Sequence, residues 1–202
     1  MLRSKSTLAI LLALSFLFNG AQAWFTREVI GYAMIPRSEA DEINELNELH
    51  SIGGILGSEN SQLGNGLILL NDPRVFRHVE GYSYCVIKAK KDKMKRIGKV
   101  YVPYSDGQTE LWNSNEMTIR SHIYGEDLVE FPNTALRFAW LKGRSRQPIM
   151  LIPSTVIQLN YLKLWGKCYS TPDKLLESWT EVVKWSQKSS WTIKGDPGEP
   201  HE

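Results

Sequence analysis

Val29-Ile30-Gly31-Tyr32-Ala33-Met34-Ile35, followed by Ser38-Glu39-Ala40-Asp41-Glu42-Ile43, is the stretch on which the fold turns. The first run is apolar almost throughout and bounded by polar residues, the pattern of a buried strand. The second begins with Ser38 and carries Asp41 three residues on. That spacing predicts a helix with Ser38 as its cap and Asp41 at the capping-box position. Ala40, Ile43, Leu46 and Leu49 then recur at threefold spacing, which is a helical stripe.

Downstream the chain alternates loops and short strands. A Gly-rich loop covers 52–65, and Gly66-Leu67-Ile68-Leu69-Leu70 is an apolar strand stopped by Asn71-Asp72-Pro73. The stretches 82–88, 99–103, 117–123, 136–141 and 149–153 are predicted strands. The last two face each other across the turn residues 143–146. Thr171-Pro172 suits a helix entry, with Leu175, Leu176, Trp179, Val182 and Val183 on one face. Strands in the middle with helices before and after predict an α+β fold. Trp165, Trp179, Trp185 and Trp191 cluster late in the chain and read as packing residues.

Upstream, Arg3 and Lys5 precede the apolar run Leu8-Ala9-Ile10-Leu11-Leu12-Ala13-Leu14-Ser15-Phe16-Leu17-Phe18, and Ala21-Gln22-Ala23 follows. That is the order of a secretory signal peptide cleaved after Ala23. The run falls well short of the roughly 20 apolar residues a membrane-spanning helix needs. The expected layout is a signal peptide over 1–23, one domain over 24–194 and a flexible Pro/Gly-rich tail over 195–202. The product is expected to be secreted and monomeric, with no membrane attachment after cleavage.

The whole chain has a formal charge of +2, which is the contribution of Arg3 and Lys5. A neutral mature domain argues against a nucleic-acid binder held by bulk electrostatics. The cluster Lys88-Ala89-Lys90-Lys91-Asp92-Lys93-Met94-Lys95-Arg96 reads as a solvated face or turn. Cys85 and Cys168 would meet an oxidising compartment, so a single disulfide is expected. His50, His78, His122 and His201 lie far apart and read as surface or satisfied residues. The residues alone give no catalytic triad, metal set or phosphate loop.

A resemblance goes further. Gly31-Tyr32-Ala33-Met34, Ser38-Glu39-Ala40-Asp41-Glu42-Ile43 and Gln62-Leu63-Gly64-Asn65-Gly66-Leu67-Ile68-Leu69 resemble the start of an ADP-ribosyltransferase toxin domain. The later segments Tyr84-Cys85-Val86-Ile87-Lys88, Lys99-Val100-Tyr101-Val102-Pro103, Leu111-Trp112, Ala135-Leu136-Arg137-Phe138-Ala139-Trp140 and Met150-Leu151-Ile152-Pro153 extend the likeness over most of 28–193. The nearest resemblance is to secreted fungal effectors of the heat-labile-enterotoxin-like type. It implies a split β-sheet core with flanking helices and extended NAD held in the cleft between the halves. Tyr32, Ala33, Gly64, Gly66 and Ile68 fall at its cofactor-binding positions and Glu116 at its catalytic carboxylate. A fixed carboxylate would stabilise the cationic charge that grows at the sugar carbon.

Two of those positions are degenerate. Ala33 stands where the family carries Arg or His, and Ile68 where it carries Tyr. The expectation is therefore a virulence effector that is a pseudoenzyme: it binds a host protein, outside or inside a host cell, with no NAD cofactor. The alternatives are an active NAD-dependent transferase, in which Arg37 or Arg120 supplies the missing charge, and a secreted hydrolase or inhibitor of unrelated fold.

Overall fold

The computed structural model describes residues 26–49, 61–144, 146–188 and 191–201. The expected signal peptide and most of the Gly-rich loop lie outside the described residues. The chain is α+β, with seven strands in one mixed sheet and five helices among the described residues.

The strands are β1 Arg27–Pro36, β2 Gly66–Leu70, β3 Tyr82–Lys90, β4 Lys99–Tyr101, β5 Leu136–Trp140, β6 Pro148–Pro153 and β7 Trp165–Tyr169. Their order across the sheet is β4-β5-β6-β2-β1-β3-β7. Only β4 and β5 run parallel. The helices are α1 Arg37–Leu46, α2 Lys91–Arg96, α3 Glu116–Gly125, α4 Ser154–Gln158 and α5 Pro172–Leu176.

The sheet has a seam. β1 follows β3 along its whole length, and β2 follows β6 along its whole length. Between β1 and β2, however, the register holds only Tyr32 opposite Leu70. A Cβ at Gly31 would lie 2.9 Å from Leu69 Cβ and 3.0 Å from the Leu70 carbonyl oxygen, so only glycine lets β1 approach β2 there. The two halves are thus β4-β5-β6-β2 and β1-β3-β7. The outer strands are each covered by a single bridge, Val100 with Lys194 and Glu48 with Trp165.

The core follows the sheet faces. α1 lays Ala40 and Ile43 against the sheet, where Ile43 Cγ2 would stand 2.8 Å from a Cβ on Gly166. Cys85 and Cys168 are directly opposite in the β3–β7 register and are joined by a disulfide. Asn44 from α1 accepts from the Cys168 N–H at 2.9 Å and donates to its carbonyl at 3.1 Å, tying helix to sheet. A second cluster of Leu63, Trp112, Ile119, Ile123 and Leu151 packs α3 onto the β4-β5-β6 half.

Several expectations are corrected. Residues 117–123 form most of α3 rather than a strand: Ile119 and Ile123 are the buried pair, and Asn115 caps the helix by accepting from the Thr118 N–H at 2.9 Å. Ser38 is not a cap, because α1 already begins at Arg37, and its hydroxyl donates to Glu39 at 2.9 Å. The late helix stops at Leu176 and does not carry Trp179, Val182 and Val183 on its face. β7 was not anticipated. The solvated reading of the lysine cluster holds for Lys91, Lys95 and Arg96, but Lys88 is buried with its ammonium 4.4 Å from the Trp179 ring and 5.1 Å from that of Trp165. Residues 195–201 lie against the body: Trp140 Nε1 donates to the Gly198 carbonyl at 3.0 Å, and the His201 ring meets that of Tyr104 at a tilt, 3.7 Å between centroids.

Lys99 in β4 is 2 % exposed. Its ammonium donates to the Met94 carbonyl, and at 2.9 Å to that of Ile97, closing the end of α2. Burial lowers its pKa from 10.5 to about 8, against a smaller opposing pull from Glu28. Between those two values the unfolded chain holds the proton that the folded chain has lost. Stability therefore rises with pH across that window, by up to about 3 kcal/mol, and the increment is absent below the folded pKa. Burial also raises Tyr32, with Glu181 and Asp72 adding to it, so the tyrosine erodes the gain only above its ordinary value of 10.0. Urea unfolding at pH 7 and pH 9.5 should show the rise, and Lys99→Met should remove most of it, the smaller remainder belonging to the buried Lys88, whose pKa burial also lowers. A flat or falling profile in the unaltered chain refutes this account.

Candidate functional site

The Gly-rich turn, the start of α3 and the middle of β5 converge on Glu116. One carboxylate oxygen accepts from the Asn65 N–H at 2.9 Å and from Arg137 Nη1 at 2.8 Å; the other accepts from Arg137 Nη2 at 2.5 Å. Arg137 Nη1 also donates to the Leu63 carbonyl at 2.7 Å. Arg137 is fully buried and Glu116 is 26 % exposed in its side chain. Burial pushes the Glu116 carboxyl up, but the Arg137 hydrogen bonds and charge, with the Asn65 N–H and the nearby Arg120, hold it below the usual carboxylate range.

The glycines make this contact possible. Gly64 has φ +92, and a Cβ there would sit 2.3 Å from the Glu116 carboxylate and 2.5 Å from Arg137 Nη1. A Cβ at Gly66 would fall 2.1 Å from the Ile152 carbonyl oxygen, where β2 enters the sheet. Both glycines therefore serve a close approach, and Gly64 brings the turn against Glu116.

The other expected positions are strung out. Leu151 lies opposite both Arg137 and Ile68, and Leu70, two residues past Ile68, lies opposite Tyr32. Directly opposed residues, and those two apart in a strand, share a face. Arg137, Ile68 and Tyr32 thus share one face, but Glu116 meets the start of β2 and Tyr32 its end. Tyr32 is fully buried, and its hydroxyl donates to the Glu181 carbonyl at 2.7 Å. Ala33 is opposite Cys85, on the other face, and buried. The structure joins Glu116 to Gly64, aligns Ile68 and Tyr32 with them along one face, and separates Ala33.

Arg137 was overlooked as a site residue. Its signal was present: a lone charge between Leu136 and Phe138, in a strand whose other residues are all apolar, has to be buried and paired.

The seam is occupied by the chain itself. Beyond Glu181, the Val183 N–H donates to the Asn71 carbonyl at 2.8 Å, and Trp185 Nε1 to the Ile30 carbonyl at 2.8 Å. Trp191 Nε1 donates to Glu28 at 3.1 Å, and Lys188 pairs with the same carboxylate at 2.8 Å. The Trp185 and Trp191 rings pack on Phe138 at 5.4 and 6.5 Å. This segment therefore laces β1 to the β4-β5-β6-β2 half.

Two concavities open elsewhere. One, of about 330 Å³, lies between Phe76, His78 and Pro172. The other, of about 470 Å³, is lined by Asp106, Thr109, Met117, Ser121 and His122, with His122 Nδ1 3.9 Å from Asp106. Neither is lined by Tyr32, Ile68 or Glu116. No group of three or more His, Cys, Asp or Glu residues that could hold a metal occurs among the described residues.

Residues 61–196 match a family of unknown function, DUF5910. The chain belongs to the DUF5910 family. Its match begins at the Gly-rich turn and runs through Glu116, Arg137 and the lacing segment. No curated protein and no solved structure matches the chain.

Proposed function

We propose that this DUF5910 chain is a secreted effector-type protein on an ADP-ribosyltransferase-like frame, binding a host protein with little or no NAD chemistry. The observation that carries the reading is the state of Glu116. A carboxylate that is to stabilise a cationic sugar must face the substrate with its charge available. Here both oxygens are engaged by Arg137 and the Asn65 N–H. Frame and chemistry are thus argued separately, the frame from the resemblance and the loss of chemistry from these contacts.

Four further features support it. The weakly paired β1–β2 seam divides the sheet where a split core would divide, and residues 181–188 lace it. Ala33 offers no donor and lies on the sheet face away from Glu116, so this position supplies none of the charge-assisted hydrogen bonds, each worth roughly 1.5–3 kcal/mol, that an Arg facing the ligand would make. Ile68 lacks the ring that would pack on a nicotinamide, a loss of about 1 kcal/mol. Together these weaken NAD binding by about two to three orders of magnitude. The Cys85–Cys168 disulfide fits a chain that passes through an oxidising compartment.

Calorimetric titration of residues 24–202 with NAD should show no tight binding, and incubation with labelled NAD should release no nicotinamide. Consumption of NAD at an ordinary enzymatic rate, lost in a folded Glu116→Gln variant, would defeat the proposal. In that event the exposed Arg37 or Arg120 becomes the source of the missing positive charge.

A further inference from the structure

The lysine cluster does not stand alone in space. α2 begins where β3 ends, and the Lys90 N–H donates to the Leu162 carbonyl at 3.1 Å, bringing the loop after α4 beside it. Lys93 holds its ammonium 5.5 Å from the Tyr161 ring. Arg27 lies opposite Lys90 in the β1–β3 register and donates from Nε to the Lys163 carbonyl at 3.4 Å. Three segments far apart in sequence thus place Arg27, Lys90, Lys91, Lys93, Lys95 and Lys163 on one region of the surface. The acids nearby are already paired, Asp92 with Arg96 at 2.8 Å and Glu28 with Lys188 at 2.8 Å.

Tyr161 stands in this basic region beside Lys93, and Leu159 lies two residues before it, directly after α4. Leu159 is 69 % exposed and Tyr161 40 % exposed. A solvated lysine face has no use for them. A basic rim around an exposed aliphatic residue and an aromatic ring is instead the arrangement that seats a protein on an anionic bilayer: the cations meet the headgroups and the apolar tips enter the acyl boundary. α2 is fixed for this by Met94, fully buried beneath it, while Lys91 and Lys95 share its outer face one turn apart.

We propose that the surface formed by α2, the 159–163 loop and the start of β1 is a docking site for an anionic membrane surface, with Leu159 and Tyr161 as its inserted tips. The site is peripheral and reversible, since no helix among the described residues is long and apolar enough to cross a membrane. It is independent of the reading of Glu116.

The test is sedimentation of residues 24–202 with phosphatidylcholine vesicles, with and without phosphatidylserine. The chain should bind the phosphatidylserine vesicles alone, and raised salt should release it. Each cation beside an anionic surface is worth roughly a factor of five in partitioning, so Lys91→Glu with Lys95→Glu should lower it at least tenfold. Leu159→Ser with Tyr161→Ser should lower it several-fold while leaving the salt dependence in place. All four positions are exposed, so melting temperatures should stay unchanged. Equal binding to both vesicle types, no binding to either, or indifference to the Lys91/Lys95 pair overturns the proposal. Indifference to the Leu159/Tyr161 pair, or retention by soluble polyglutamate without vesicle binding, assigns the face to a soluble acidic partner and overturns it as well.

Discussion

Glu116→Ala is expected to destabilise the fold by about 3–5 kcal/mol, and Arg137→Met by clearly less. The two residues form one ion pair, so equal losses would be the simplest guess. Their surroundings make the difference. Arg137 is fully buried, and its Nε has no hydrogen-bond partner even with Glu116 in place. A guanidinium cannot shed its proton, so without Glu116 a full charge stays buried with the Leu63 carbonyl as its remaining acceptor. Glu116 left alone keeps the Asn65 N–H and, at 26 % exposure, reaches water. Losing the Leu63 and Asn65 sides of the knot separately costs nearer 1–2 kcal/mol. Urea midpoints of the two variants decide the order. An Arg137→Met variant as damaged as Glu116→Ala would mean that the pair holds the turn by geometry rather than by charge compensation. The pair also sets an acid limit: the depressed Glu116 carboxyl stabilises the fold above its unfolded pKa, and that contribution fades as pH falls through the folded one.

The second large effect lies in the other half of the sheet. Replacing Cys85 and Cys168 together by alanine is expected to cost about 4 kcal/mol, the chain-entropy value for a crosslink of this span. The bridge joins residues separated by 83 positions. In the native state the two strands are already held from Tyr84 opposite Tyr169 to Lys88 opposite Trp165, and Asn44 grips both backbone groups of Cys168. The bridge therefore acts chiefly on the unfolded ensemble. The double variant should keep native near-ultraviolet circular dichroism while its urea midpoint falls and its denaturant dependence steepens. A loss under about 1 kcal/mol would show that the unbridged unfolded chain is already compact around these strands.

Much of the architecture was readable because period and composition agreed. β1, β3, β5 and β6 are apolar runs between turn residues and lie where the pattern put them. α3 reads as a strand from sequence because Met117, Ile119 and Ile123 sit two and four residues apart, spacings that fit both periods; Asn115, an N-cap residue before Glu116, is the local sign that favours helix. β7 carries Gly166 and Lys167 and has little strand character of its own; it exists through its pairing with β3. The late helix ends early because tertiary partners claim the backbone beyond it: Tyr32 takes the Glu181 carbonyl and Asn71 the Val183 N–H. At the candidate site, Glu116 and Gly64 were legible as positions. Their joint use by Arg137 was not, since that contact depends on β5 lying two strands from β2 with Leu151 between.

The lacing of the seam by Glu181, Val183, Trp185 and Trp191 also fixes the order in which the chain can mature. During synthesis residues 27–36 emerge about 150 residues before the groups that fasten β1 to the other half, from Glu181 to Trp191. Until they leave the ribosome, β1 and β2 meet through one registered pair and keep largely open edges. Such edges recruit other chains. A nascent chain of this protein thus has to be shielded along most of its length, and any product stopped before residue 181 would be a substrate for chaperones rather than half of a working molecule.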